Sequence, residues 1–370
     1  IIDYSRMDSI LPSINKLLKN KNKVFVLAHY GRPRGVVDNQ LSIKFLCKEL
    51  RKKLCIKKVH FIKVINSEEI NKKKSEMKMG EICLIENIRF YKEEEKNELN
   101  FSKNLSSNFD IYVNDAFSVS HRSHASIVGL TKFLPSCAGL SFTKEIKNLN
   151  SFLNKKRKPN LAIIGGSKIS TKIKLITNLI SSFDSVVIGG AMANTFLLAK
   201  HISIGKSLCE KDYVKIANDI LIKAKSKNCK IILPIDVVCS KNLNSGLEIL
   251  KCNINNIPDD KMILDIGEKS INLVSNEIIN CRSVLWNGPL GVFEYSPFDQ
   301  GSIEIANKIK KSFKEFNIDS LAGGGDTISV INIAKAKDGF TYLSNAGGAF
   351  LEWLEGNKSP GYLALENNKL

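Results

Sequence analysis

The chain has 370 residues, a mass of 41.2 kDa and a formal net charge of +18. At about 150 residues per domain this length fits two to three domains. A composition of 43% apolar and 25% charged residues excludes a disordered chain, a collagen and a small disulfide scaffold, and no apolar run approaches the about 18–20 residues of a membrane-spanning helix.

Short β-branched runs alternate with longer helical patterns, the mark of parallel α/β sheets. In the first part, strands are expected at 24–28, 58–62, 82–86 and 111–114, and helices at 9–20, 42–53 and 100–107. The stretch 140–155 follows, with Leu140, Ile146, Leu149 and Leu153 at near-helical spacing. It ends in the charged turn Lys155-Lys156-Arg157-Lys158-Pro159 and predicts a helix joining two domains. Beyond it, strands are expected at 161–165, 185–188, 231–234, 283–286, 319–322 and 340–343, with helices at 168–180, 212–227 and 302–316. The expected architecture is α/β, two doubly wound parallel-sheet domains facing a cleft.

The charge divides unevenly between residue types. Of 55 basic residues only eight are Arg, namely Arg6, Arg32, Arg34, Arg51, Arg89, Arg122, Arg157 and Arg282. Much of the Lys lies in runs such as Lys72-Lys73-Lys74, or is broken by acid, as in Tyr91-Lys92-Glu93-Glu94-Glu95-Lys96. These read as solvated surface rather than a nucleic-acid footprint, which gathers Lys and Arg on one face among stacking aromatics. Where Lys is the default cation, a retained Arg points to a need for its planar fork. The nine Cys contain no C-x-x-C and read as buried reduced thiols in a cytoplasmic protein. No export signal is legible at the start, and the opening Ile1-Ile2-Asp3 without Met reads as a missing beginning.

Almost every unusual residue directly follows an expected strand, where open α/β sheets bind ligands. The first part offers His29, Arg32, Arg89, His121, Arg122 and His124 at such positions, a pocket for a small, strongly anionic ligand. The second offers glycine turns, two Lys and a carboxylate, which suit nucleotide phosphates with a metal beside them. An anion site facing a nucleotide site suggests phosphoryl transfer across a cleft.

Gly165-Gly166-Ser167-Lys168 is expected to open the helix 168–180, with Lys168 and Lys172 as i,i+4 neighbours at its positive end. A bound polyanion would favour that placement, although two exposed lysines explain it equally. Gly323-Gly324-Gly325-Asp326-Thr327 reads as a phosphate cradle with Asp326 on Mg²⁺, or as a tight turn with a helix cap. Gly347-Gly348 is a weaker version of the same signal. Gly205-Lys206-Ser207 imitates the end of a P-loop, but Lys200 stands where its first Gly is required, and no G-x-G-x-x-G occurs.

Taken in order, these motifs resemble phosphoglycerate kinase. The resemblance is carried by Asp3-Tyr4-Ser5-Arg6, His29-Tyr30-Gly31-Arg32-Pro33, Glu86-Asn87-Ile88-Arg89-Phe90, Asn114-Asp115-Ala116-Phe117, His121-Arg122-Ser123-His124-Ala125-Ser126, Gly165-Gly166-Ser167-Lys168, Trp286-Asn287-Gly288-Pro289-Leu290-Gly291-Val292-Phe293-Glu294 and Gly323-Gly324-Gly325-Asp326-Thr327. It implies a domain over 1–139 for 3-phosphoglycerate or 1,3-bisphosphoglycerate and a joining helix over 140–155. A domain over 156–344 for ADP or ATP with Mg²⁺ follows, and 345–370 returns to the first domain. Arg6 and Lys168 would neutralise the phosphoryl group in transfer. The three-carbon substrate would meet His29, Tyr30, Gly31, Arg32, Arg89 and Arg122, with Arg6. The nucleotide would meet Gly166, Lys168, Lys172, Gly189, Gly190, Asn287, Pro289 and Glu294. It would also meet Gly324, Gly325, Asp326, Thr327, Gly347 and Gly348, Asp326 positioning the metal.

The resemblance further implies a cytoplasmic monomer acting on small molecules, with no nucleic acid and no membrane as partners. The family's opening strand, with its Arg-x-Asp-Phe-Asn-x-Pro signature, is absent from this sequence, so the first domain is expected to lack one strand. Other departures are Thr171 for an Asp, Ser344-Asn345-Ala346 for Ser-Thr-Gly, Ser118 for a Gly and Glu268 for a Pro. A catalytically impaired remnant that still binds nucleotide is the alternative reading.

Overall fold

The computed structural model describes residues 4–155, 157–243 and 248–368. Ile1, Ile2, Asp3 and Lys156, named above, lie outside the described residues. The chain divides into two compact units, Ile1–Lys147 with Lys358–Leu370, and Asn148–Asn357.

In the first unit, helices α1 (Ser5–Lys19), α2 (Leu46–Leu54) and α3 (Ser67–Glu76) alternate with strands β1 (Val24–Val26), β2 (His60–Ile62) and β3 (Ile82–Ile85). Short helices α4 (Lys92–Lys96) and α5 (Leu99–Ser106) precede β4 (Tyr112–Asn114) and β5 (Ser136–Ala138). The strands form a parallel three-stranded sheet in the order β1-β3-β2 and a separate parallel pair, β4-β5. The Ile-Cys-Leu-Ile run of β3 is buried at every position because it is the central strand, covered on both faces. Its side chains alternate. Ile82 and Leu84 pack with Ile14, Leu50 and Leu54, whereas Cys83 and Ile85 pack with Ile62, Ile70 and Leu105. The expected helix 42–53 starts only at Leu46, because Ser42 and Ile43 give their hydroxyl and amide to Glu86 instead. Helix α3 was not apparent from periodicity, since Ile70 is its one buried residue. Its Asn66 cap, accepting from Glu69 N at 2.8 Å, marks the start.

Helix α6 (Leu140–Lys155) carries the chain into the second unit. There β6 (Asn160–Ile164), α7 (Ile173–Leu179), β7 (Ser185–Ile188), α8 (Ala191–Ala199), α9 (Val214–Ser226) and β8 (Lys230–Ile232) follow one another. Strands β9 (Asp236–Ser240), β10 (Leu250–Asn253) and β11 (Met262–Ile266) come next. The remainder is α10 (Glu268–Asn280), β12 (Ser283–Asn287), α11 (Gln300–Phe316), β13 (Asp319–Gly323), α12 (Gly325–Ile333), β14 (Tyr342–Ser344) and α13 (Gly348–Leu354). Six strands make one parallel sheet, β14-β13-β12-β6-β7-β8. β12 lies at its heart, with Ser283 opposite both Asn160 and Asp319. Trp286 is fully buried there, stacked on Phe340 with its indole N–H on Gly288 O at 2.8 Å.

Every expected strand forms, with ends displaced by at most two residues. The antiparallel sheet β10-β9-β11 was not expected. The chain rejoins the first unit at Lys358 rather than near residue 345, because α13 stays with the second unit, where Asn178 donates to Leu354 O at 2.5 Å. Helix α14 (Pro360–Glu366) is capped by Ser359 and held by Ser120, whose carbonyl accepts from Gly361 N.

One carboxyl is buried inside the second unit. Asp265 of β11 accepts from Ile266 N at 2.9 Å and Gly301 N at 2.7 Å, and burial pushes it up to about 8. Its folded value lies above its unfolded one, so its stabilising contribution is full below about pH 4 and is lost as pH rises through about 8. Asp265→Asn cannot ionise and should remove that dependence. In urea unfolding from about pH 5 to about pH 9, the natural chain is expected to lose stability relative to the variant. Parallel pH curves would contradict the burial argument.

Candidate active site

In the first unit, the turn after β1 presents His29, Tyr30, Gly31 and Arg32. It is fastened to the end of β3 by two buried polar residues. Asn87 donates to Tyr30 O at 2.7 Å and Leu41 O at 2.9 Å. Glu86 accepts from Ser42 Oγ, Ile43 N and Asn87 N at 2.6, 2.9 and 2.9 Å. Arg89 follows in a 3₁₀ turn and is buried. It donates from Nη1 to Gly31 O at 3.1 Å, and its Nε lies 3.6 Å from Glu95. Tyr30 is exposed, its ring edge-on to Phe45.

His29 reports how closely the basic groups gather. Burial first, then the charges of Arg89, Arg122, His124 and Arg6, pull its pKa down to about 3. It is therefore neutral at ordinary pH, whereas the sequence reading grouped it with the cations. Burial and the charges of Arg122 and Arg32 also lower Arg89. Such a cluster repels itself and is relieved by a bound anion. His121 lies beside it, its Nδ1 buried without a hydrogen-bond partner among the described residues.

In the second unit, the turns after β6, β7 and β12 meet backbone to backbone. Gly165 N donates to Asn287 O at 2.9 Å, Gly190 N to Leu290 O at 3.0 Å and Met192 N to Gly166 O at 3.0 Å. A side chain at Gly165 would overlap the carbonyl of Pro289. Gly190, at φ +67°, would place a Cβ 2.6 Å from Gly166 O. Gly189 likewise lies tight against Leu290.

Lys172 is anchored at this junction. Its ammonium donates to Gly165 O at 2.6 Å and Asn287 Oδ1 at 2.7 Å. Burial lowers its pKa to about 8, opposed by the charge of Asp326. Asn287 in turn donates to Gly323 O at 2.7 Å, and Gly288 N donates to Thr327 Oγ1 at 2.7 Å. The structure thus brings together Lys172, Asn287, Thr327 and Asp326. Gly324 adopts φ +99° beside Asn287, while a Cβ at Gly325 or Gly347 would meet nothing. Gly348 opens α13, Pro289 is buried, and Glu294 is exposed on the turn beyond it.

Lys168 departs from the sequence reading. Helix α7 begins at Ile173, so Lys168 and Lys172 do not share a helix face. Glu210 is the cause. Its carboxylate accepts from Ser170 N at 2.9 Å and Ser170 Oγ at 2.6 Å, and from the Ile169 amide, holding 168–171 as an irregular turn. Lys168 is left exposed on that turn. Sequence reasoning also missed Glu86, Glu94 and Glu210 as supports, because each acts on residues remote in the chain.

A unit that gathers guanidinium groups and another that gathers glycine turns around a buried lysine and a carboxylate fit a small-molecule kinase, which brings an anionic metabolite and a nucleotide to one chain. Comparison with known proteins gives the particular family. The phosphoglycerate kinase family model matches residues 1–357, and the chain belongs to that family. The phosphoglycerate kinase of Chelativorans sp. (strain BNC1) is 44% identical over 366 residues, covering 99% of this chain and 92% of that protein. The phosphoglycerate kinase of Brucella abortus biovar 1 (strain 9-941) is 43% identical over 361 residues, covering 98% and 91%. Among solved structures, phosphoglycerate kinase from Coxiella burnetii matches with a TM-score of 0.87 at 35% identity, covering 100% of this chain and 92% of that one. The Pyrococcus horikoshii OT3 enzyme matches with 0.85 at 29%, covering 99% and 92%.

The crowding at Gly165 makes a direct prediction. Gly165→Ala has to push the Pro289 turn away, costing about 2 kcal/mol or more of stability. Denaturant unfolding measures this, and near-natural stability would contradict the backbone contact.

Proposed function

We propose the following division of labour for the phosphoglycerate kinase reaction. That reaction is the reversible transfer of a phosphoryl group from 1,3-bisphosphoglycerate to ADP, giving 3-phosphoglycerate and ATP in glycolysis. The first unit takes the three-carbon substrate and the second takes the nucleotide. The observation that carries this reading is the self-repelling gathering of Arg89, Arg122 and Arg6 around the buried His29. A neutral or cationic ligand would not relieve it.

Phosphoryl transfer asks for positioning and charge neutralisation rather than a covalent intermediate. Arg32, Arg89 and Arg122 hold carboxylate and phosphate oxygens, with planar forks suited to both. His29, being neutral, contributes hydrogen bonds, and Tyr30 and Gly31 line the same turn. Arg6 and Lys168 neutralise the phosphoryl group in transfer. In support, neither side chain has a hydrogen-bond or ion-pair partner among the described residues, so both are available to substrate. Lys172 keeps Gly165 O and Asn287 Oδ1 with two of its N–H groups and has the third, only 3.5 Å from Asn287 O, to offer a nucleotide phosphate.

Gly166, Gly189, Gly190, Pro289 and Glu294 surround the nucleoside. Gly324, Gly325, Thr327, Gly347 and Gly348 flank the phosphates. Among the described residues no three His, Cys, Asp or Glu side chains cluster as a metal cage. A single carboxylate, Asp326, fits Mg²⁺, which keeps several waters and uses phosphate oxygens as ligands. When bound, the ion would offset phosphate charge. One chain carries both faces, so a monomer suffices. Nine free thiols support a reducing compartment, the cytoplasm. No described helix is long and apolar enough to cross a membrane, and no nucleic-acid partner is invoked.

The test is a coupled assay of ATP- and Mg²⁺-dependent phosphorylation of 3-phosphoglycerate. Arg6→Ala and Lys168→Ala should each cut kcat by about 10³-fold and change KM far less. Near-natural turnover in either variant removes that residue from the reacting centre.

A further inference from the structure

The acidic run after Arg89 reads as solvated surface, yet Glu94 on α4 is only 2% exposed. Burying a carboxylate is costly unless its oxygens are satisfied. Glu94 spends them on one short loop. Oε2 accepts from Ser126 N at 2.8 Å and Oε1 accepts from Ser126 Oγ at 2.5 Å. Nδ1 of His124 lies 3.7 Å from Oε1. The Tyr112 hydroxyl takes Ser126 from the other side, donating to its carbonyl at 2.5 Å. Just beyond, a Cβ at Gly129 would overlap Ser102 Oγ and stand 2.8 Å from Asn97 Oδ1, so the segment has no room to slide toward α5.

The loop held in this way, His121–Ser126, carries Arg122 and His124. Both groups, with Arg89 and Arg6, bear on His29. Like charges on a loose loop drift apart before an anion arrives. Here the backbone beside them is bonded to a buried acid.

We propose that Glu94 is a positioning residue for the three-carbon substrate, holding the 121–126 turn so that Arg122 and His124 stay presented although Arg122 and Arg89 repel one another. This rests on the reading that the arginine cluster binds that substrate. Glu94 itself need not touch the ligand. Its effect is to supply the order that binding would otherwise have to impose.

The full chain serves for the experiment. Glu94→Gln keeps the shape but removes the charge that strengthens both bonds to Ser126 and faces His124, and it obliges the Ser126 hydroxyl to turn from donor to acceptor. The expected result is about a tenfold rise in KM for 3-phosphoglycerate, with KM for ATP unchanged and kcat within about threefold. Glu94→Asp restores the charge with a shorter reach and should fall between. Arg122→Ala serves as the control on the underlying reading. If Arg122→Ala raises the KM for 3-phosphoglycerate while Glu94→Gln lowers only thermal stability, Glu94 is a structural acid and the proposal is overturned. If Arg122→Ala also leaves that KM unchanged, the substrate reading of the cluster fails first and the proposal falls with it. Should Glu94→Gln not fold, Ser126→Ala removes a single bond, with about a two- to threefold rise in the same KM expected. An unchanged value there would overturn the proposal equally.

Discussion

The second unit depends on one residue, Asn287, which ties together the ends of three neighbouring strands. Its main-chain carbonyl accepts from Gly165 after β6, while its side chain receives the Lys172 ammonium on Oδ1 and donates from Nδ2 to Gly323 O at the end of β13. Only an amide can do this, since it offers an acceptor to a cation and a donor to a carbonyl within one planar group. A carboxylate would repel Gly323 O, and an apolar residue would leave buried polar groups unpaired. The glycine turns around it are crowded because Asn287 and Lys172 draw the strand ends together.

The first unit uses the same device with different members. Asn87 and Glu86, just past the central strand β3, take up the 30–43 loop that carries the proposed substrate residues. In each unit, then, a buried polar pair at a strand terminus converts a flexible turn into a fixed surface. Charged residues of the proposed site add to that hold, Arg89 on Gly31 O and Lys172 on Gly165 O.

Much of this was legible in the residues. Ile-Cys-Leu-Ile predicts a strand, and its lack of a polar face agrees with the central place it takes in the sheet. Glycines and asparagines placed directly after strands mark the binding edges, since few other residues satisfy strand-end backbone. What was not legible depends on distant partners. Lys168 leaves the helix because of Glu210, about forty positions later. Glu94 is buried although its neighbours are Lys and Glu. His29 is neutral because it is buried and because arginines from three other segments converge on it. The strands of the antiparallel sheet escaped notice because β10, Leu-Lys-Cys-Asn, has too little apolar alternation to stand out.

The position of β12 between β6 and β13 has a consequence for errors in folding. Side chains alternate along a strand, so a slip of one residue would turn Asn287 to the opposite face. Lys172 would then lose one of its two close acceptors and Gly323 O its donor at the same moment. Sheet registry and ligand chemistry are thus read from the same residue. On the proposed nucleotide role of Asn287 and Lys172, a misaligned sheet would lose its strand-end bonds and its nucleotide contacts together.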